Sequence, residues 1–214
     1  MTKNTKVNAA ILIIGNEILS GRTQDTNTST LAIWLNSIGV KVNEVRIVSD
    51  TEEIIVDTLN FLRKSNDYVF TTGGIGPTHD DITAKSVSKA FDLKYEIHPE
   101  AFKMLESYYK PGEFNKGRQK MVWMPSNAEL ILNPTSGAPG FSVENVFCLP
   151  GVPSILKSML GGLRNKIVGG EPILSHTISL KTVESEIANS LSKVQSQNTD
   201  VEIGSYPFFH AGKL

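Results

Sequence analysis

Apolar and polar positions fall into blocks along the chain, and the blocks switch between a strand-like and a helix-like period. Val7–Ile14 is a continuous apolar run closed by Gly15, as in a strand buried on both faces of a parallel sheet. Residues 28–38 place Leu31, Leu35 and Ile38 on one helical face, and Gly39 sits where such a helix stops. Residues 40–48 read as a second strand. Asp50 then offers an N-cap, with Glu53 completing a capping-box-like start, and Ile55, Leu59 and Leu62 form the buried face of the helix that follows. A third strand, Tyr68-Val69-Phe70-Thr71-Thr72, runs straight into Gly73-Gly74-Ile75-Gly76-Pro77-Thr78-His79-Asp80-Asp81. Residues 82–91 then turn Ala84, Val87 and Phe91 to one side. This alternation predicts an α/β fold with a mostly parallel sheet and helices on both faces.

The rest of the chain is less regular. Residues 99–109 read as a helix, 110–118 as a polar break, and 128–132 and 143–149 as strands flanking a turn-rich stretch. Pro150-Gly151-Val152-Pro153 opens a helix whose inner face is Leu156, Leu160 and Leu163. After Gly169-Gly170-Glu171-Pro172, residues 173–182 alternate like a strand, Ile187, Leu191 and Val194 mark a helix, and 201–206 read as a last strand. The expected organisation is a main domain over residues 1–172 and a small α+β C-terminal appendage over 173–214. The appendage shows no closing element before Leu214, which reads as a truncated end.

Composition narrows the function classes. With 214 residues, 40% of them hydrophobic and 20% charged, the chain has room for a core without cross-links. A formal net charge of -1 argues against nucleic acid or acidic membranes held by bulk electrostatics. No run approaches the ~18 apolar residues of a membrane helix. The N-terminus lacks a secretory signal, so the cytoplasm is the expected compartment. The one cysteine, Cys148, excludes an internal disulfide and a zinc framework, and inside Val146-Phe147-Cys148-Leu149 it reads as a small buried hydrophobe.

In an open parallel sheet, ligands bind beyond the carboxyl ends of the strands, where residues 15–27, 49–50 and 73–81 meet. Gly73, Gly74 and Gly76 let backbone N–H groups approach phosphate oxygens, and the helix after them adds its positive end. A tight turn calls for the same glycines. Asp80 and Asp81 would repel a phosphate unless a cation sits between, which suits Mg²⁺ or Mn²⁺; the alternative is that one caps the helix and the other is solvated. Asp50 has the same two readings. His79 is a metal or acid–base candidate, or simply exposed. Glu17 either faces the ligand or forms a salt bridge. Asp25 and Asn27 belong to a segment that could cap the next helix, and Ser136-Gly137-Ala138-Pro139-Gly140 is a substrate loop or only a hairpin.

The stretch from Thr72 to Thr83 closely resembles the signature of the molybdopterin-binding, or molybdenum-cofactor-biosynthesis, domain family. Gly15-Asn16-Glu17-Ile18-Leu19-Ser20-Gly21, Asp25-Thr26-Asn27, Gly137-Ala138-Pro139-Gly140-Phe141 and Leu149-Pro150-Gly151-Val152-Pro153 match as well. The resemblance covers residues 7–170 and is best to the CinA-like branch, found at the N-terminus of competence/damage-inducible protein A and of eukaryotic FAD synthetases. Glu184-Ser185-Glu186-Ile187-Ala188 and Ile203-Gly204-Ser205-Tyr206-Pro207 resemble the small subdomain that follows in that branch.

The resemblance implies a three-layer αβα domain that binds a nucleotide or molybdopterin and assembles as a dimer or trimer. For the CinA-like branch it implies metal-dependent hydrolysis of nucleotide diphosphates such as ADP-ribose or FAD, with Mg²⁺, Mn²⁺ or Co²⁺ and possible help from K⁺. Molybdopterin adenylation and a non-catalytic binding module are the alternatives. The two functional aspartates map onto Asp50 and Asp81, and Asp80 belongs to the double-Asp form of the branch, with Asp80 and Asp81 as metal ligands. The ligand-holding residues expected are Gly15, Glu17, Asn27, Thr72, Gly73, Gly74, Gly76, Pro77, Thr78, Thr83, Ser136, Gly137 and Gly151. Asn16 and the Ala84-Lys85 pair depart from the family pattern, and Lys85 is expected to bring positive charge near the ligand.

Overall fold

The computed structural model describes residues 7–172 and 174–207. A six-stranded sheet forms the centre. Its strands are β1 (Val7–Ile14), β2 (Val40–Val48), β3 (Tyr68–Thr72), β6 (Glu129–Ile131), β7 (Gly140–Val143) and β8 (Val146–Leu149), in the order β2-β1-β3-β8-β7-β6. The pairings β1–β2, β1–β3 and β3–β8 are parallel, while β8–β7 and β7–β6 are antiparallel. Every residue from Ala9 to Ile14 is buried, because both faces of β1 are covered.

Alternate β1 residues enter two cores. Ala10, Leu12 and Ile14 pack with Ile55, Leu59 and Leu62 of α3 (Glu52–Ser65), Val87 of α4 (Thr83–Ala90) and Leu105 of α5 (Pro99–Tyr108). Ala9, Ile11 and Ile13 pack with Leu31 and Leu35 of α2 (Asn27–Ser37) and with Leu156, Leu160 and Leu163 of α7 (Pro153–Leu163). A sheet with helices on both faces is the three-layer αβα arrangement. Gly39 follows α2 with φ +74°, the left-handed stop expected there.

Several elements differ from expectation. Residues 143–149 are not one strand: Glu144 takes φ +49° and turns β7 into β8. The polar break holds a short helix, α6 (Lys116–Lys120), capped by the Asn115 side chain on the Arg118 amide at 3.1 Å. A separate antiparallel ribbon joins β4 (Tyr95–Ile97) to β5 (Trp123–Pro125). A one-turn helix, α1 (Asn16–Leu19), occupies the polar turn after β1. His98 caps α5, its Nδ1 accepting the Ala101 amide at 3.3 Å.

The chain divides into two compact units, 1–174 and 175–214. In the second, α8 (Glu184–Gln197) is the one regular element among the described residues. The strands expected over 173–182 and 201–206 are not formed among the described residues; Leu174, Ile178 and Leu180 stand exposed, without the ladder a strand needs. The Gln195 side chain gathers the segment after α8, donating to Val201 O at 2.7 Å and accepting from the Ile203 amide at 2.8 Å. Among the described residues no helix is long and apolar enough to cross a membrane.

Candidate functional site

The carboxyl ends of the parallel strands gather the segments singled out in the sequence. The Gly15 amide donates to Val48 O at 3.1 Å, and the Gly73 amide donates to Leu149 O at 3.1 Å, so each glycine extends its ladder by one bond. Asn27 Nδ2 donates to Gly151 O at 2.8 Å, tying the start of α2 to the loop after β8. A Cβ built on Gly151 would lie 3.4 Å from Gly73 Cα. Gly15, Asn27, Gly73 and Gly151 therefore share one edge of the sheet, and Thr72, buried, pairs there with Ile13 and Leu149.

Two glycines of the loop are dictated by geometry. Gly73 has φ +96°, and a Cβ there would fall 2.1 Å from Ile14 O. Gly74 has φ +68°, and its Cβ would fall 2.2 Å from Thr83 Oγ1. Thr83, fully buried, fastens the loop: its hydroxyl donates to Gly73 O and its amide to Gly74 O, both at 2.9 Å. The expectation that Gly73 lends its amide to a ligand is corrected, since Leu149 O takes that donor. Among the described residues the amides of Gly74, Ile75 and Gly76 make no hydrogen bond, and all three residues are only partly buried. Such adjacent open N–H groups are what an anion cradle requires.

Asp81 is not a helix cap. Its Oδ2 accepts the Thr78 amide at 2.7 Å and the Thr78 hydroxyl at 2.5 Å, closing the turn from Thr78 to Asp81, while α4 begins with no side-chain cap. That carboxylate lies against Gly76, where a Cβ would be 2.7 Å from Oδ2. Asp50 does not cap α3 either. The flanking residue is Thr51, whose side chain makes no capping bond to the helix, and Asp50 Oδ2 instead accepts the Asn16 amide at 2.9 Å. The capping-box reading fails because the end of β2 lies beside Gly15 and the Asn16 donor competes for the carboxylate. Asp25 does cap, accepting the amides of Asn27 and Thr28 at 2.9 and 3.2 Å.

Asp80 is exposed. The Thr78 hydroxyl beside it and its own backbone amide hold its carboxyl below the usual range, helped by His79 and Lys120. His79 is almost wholly solvated, 4.0 Å from Asp80 Oδ1. Glu17 is exposed, makes no ion pair among the described residues, and folds its carboxylate over Gly15. The Lys85 charge is matched by a carboxylate, since its Nζ pairs with Glu52 Oε2 at 2.7 Å.

The loop after β6 reaches the same sheet edge, since β7 runs antiparallel to β8. Contrary to expectation, the Ser136 and Gly137 amides are taken within the loop. The Ser136 amide donates to Asn133 Oδ1 at 3.1 Å, the Gly137 amide to Asn133 O at 3.3 Å, and Gly137 lies against the Tyr108 ring. Pro139 and Phe141 instead line a crevice with Gly74, Ile75, Gly76 and Asp81. Tyr95, Lys120, Trp123 and Met124 form its far wall, and burial pushes the Tyr95 hydroxyl pKa up. Its volume is about 10 Å³, on the order of one water.

Lys120 was missed in the sequence; its only signal is the basic run Lys116-Gly117-Arg118-Gln119-Lys120 within the polar break. Among the described residues no group of three or more His, Cys, Asp or Glu side chains is placed to hold a metal ion. Cys148 is fully buried, which pushes its thiol up to about 12 and removes it as a nucleophile.

Residues 10–169 match the family model described as "Probable molybdopterin binding domain", and residues 172–214 match "FAD synthase, middle domain". A protein of Archaeoglobus fulgidus is 35% identical over 197 residues, covering 92% of this chain and 84% of that one. A competence-damage inducible protein of Clostridium botulinum is 32% identical over 213 residues; the match covers 92% of this chain and 51% of that longer protein. The crystal structure of CinA from Thermoplasma acidophilum, of unknown function, superposes with a TM-score of 0.71 at 32% identity, covering 77% of this chain and 99% of that one.

Proposed function

We propose, from the premise that this chain belongs to the molybdopterin-binding domain family in its CinA-like branch, that it binds a nucleotide diphosphate and hydrolyses the diphosphate bond. ADP-ribose and FAD are the substrates of this reading. The match of residues 172–214 to a FAD synthase domain supports trying FAD first. The observation that carries the proposal is the run of three open amides at Gly74, Ile75 and Gly76, beside Asp81 and at the carboxyl edge of a parallel sheet.

These amides would hold phosphate oxygens, and catalysis would be mainly electrostatic and positional. Thr78 fixes Asp81 through one carboxylate oxygen, which leaves Oδ1 to orient a water. Asp50, held by the Asn16 amide, and Asp80, ionised at neutral pH, are the other carboxylates this reading assigns to that role. The described residues do not form a metal cage of three or more ligating side chains. A divalent ion arriving with the substrate would be held by Asp81 with Asp80 or Asp50 assisting, and would supply charge neutralisation and a more acidic water.

The test is incubation with ADP-ribose, FAD and NADH in the presence of Mg²⁺, Mn²⁺ or Co²⁺ with K⁺, following AMP release. AMP release that falls about 100-fold or more in Asp81→Asn supports the reading. Intact substrates under every ion overturn it. Adenylation of molybdopterin with ATP would assign the same cradle to adenylyl transfer. Tight nucleotide binding without turnover, unchanged in Asp81→Ala, would make the chain a binding module.

A further inference from the structure

A cation stands at the glycine loop that none of the motifs contains. Lys120 is the last residue of α6, 42 positions from Thr78, yet its Nζ donates to the Thr78 carbonyl. It lines the same crevice as Gly74, Gly76 and Asp81. The approach is built rather than incidental. Asn115 caps α6, the Gln119 side chain donates to Phe114 O at 3.0 Å, and Arg118 stacks on the Tyr109 ring at 4.2 Å. The Arg118 charge is engaged by Glu113 at 3.5 Å, whereas Lys120 makes no ion pair among the described residues.

We propose that Lys120 is a ligand-binding residue, its ammonium meeting the phosphate oxygens of a diphosphate held by the amides of Gly74, Ile75 and Gly76. The inference rests on the diphosphate reading of this site. An ammonium carries three donors; one is given to Thr78 O, which orients the group and leaves two for the ligand. The charge also answers a difficulty raised by Asp80 and Asp81. Two carboxylates beside an anion site repel the anion, and among the described residues no three-ligand metal group is present to offset them. A half-buried lysine on the loop supplies that offset from the chain itself.

The test is calorimetric binding of inorganic pyrophosphate and of ADP, first in EDTA and then with Mg²⁺. The proteins are the unmodified chain, Lys120→Met, Lys120→Arg and, as control, Lys116→Met, an exposed lysine of the same helix. Lys120→Met is expected to weaken both ligands about ten- to a hundredfold, the range of a charge-assisted hydrogen bond. Lys120→Arg recovers most of the loss, Lys116→Met binds normally, and all four proteins unfold at the same urea midpoint. Lys120→Met binding within twofold of the unmodified chain overturns the proposal. So does a loss shared by Lys120→Arg and matched by a lowered urea midpoint, which is how a merely structural lysine behaves. If the unmodified chain binds neither ligand in either condition, the diphosphate reading falls and this inference with it; if it binds and Lys120→Met binds equally, this inference falls alone.

Discussion

Replacing Gly73 by alanine would put a methyl carbon 2.1 Å from the Ile14 carbonyl oxygen, at the end of the buried strand β1. No side-chain rotation relieves that contact, because the obstacle is main chain. The backbone there also holds φ +96°, outside the regions open to an L-residue. A strained φ costs about 1–3 kcal/mol and an overpacked contact about 1–3 kcal/mol, so Gly73→Ala should lose about 2–6 kcal/mol. That is a large share of the ~5–15 kcal/mol that holds a typical domain. Gly161→Ala is the internal contrast. Gly161 lies within α7 with nothing near its Cβ position, and alanine there should gain about 0.5–1 kcal/mol. The assay is urea unfolding followed by tryptophan fluorescence. The two tryptophans, Trp34 and Trp123, both lie in the first unit, so the signal reports the unit that carries the change. Equal urea midpoints for Gly73→Ala and the unmodified chain would refute the argument that Ile14 and Gly73 are in fixed close approach.

Two further outcomes follow from the same packing. Cys148, with its thiol pushed up to about 12 by burial, should not react with a thiol reagent at pH 8 until urea unfolds the chain; rapid stoichiometric reaction of the native protein would contradict its placement. Glu52 hydrogen-bonds Lys85 first and Lys89 second, and its folded pKa is lowered. Its contribution to stability is therefore present above the ordinary glutamate pKa and lost as the pH falls through the lowered folded value. The difference in urea midpoint between the unmodified chain and Glu52→Gln should accordingly be present at pH 7 and shrink as the pH falls below the ordinary glutamate range, and a difference that grows on acidification would count against these ion pairs.

Much of the fold was legible because period and punctuation agree in the first half. The continuous run of β1, the i, i+4 spacing in α2 and α3, and the strand–glycine–helix order at 68–90 each point to one element. The misses have local causes. The turn between β7 and β8 is only the pair Glu144-Asn145, with Glu144 at positive φ and neither glycine nor proline to mark it. The strands β4 and β5 have three residues each, too few to show a period. The expected strands of the second unit have the right alternation, but alternation does not supply a neighbour.

At the site, residue types were readable while allegiances were not. Asp50 looks like a cap because its own helix is the nearest claimant; the Asn16 amide, 34 positions away, is invisible to any local pattern. The same holds for Lys120 and Thr78, and for the Gly73 amide taken by Leu149. Lys85 sits near the loop in sequence, and its partner, Glu52, is 33 positions away.

The most direct test of the cradle is a ¹⁵N-resolved NMR titration of the protein with inorganic pyrophosphate, reading the amides of residues 73–76. The amides of Gly74, Ile75 and Gly76 should show the largest shifts, while Gly73, bonded to Leu149, should move little. Saturable binding that leaves those three amides unmoved, or that shifts Gly73 alone, would contradict the account.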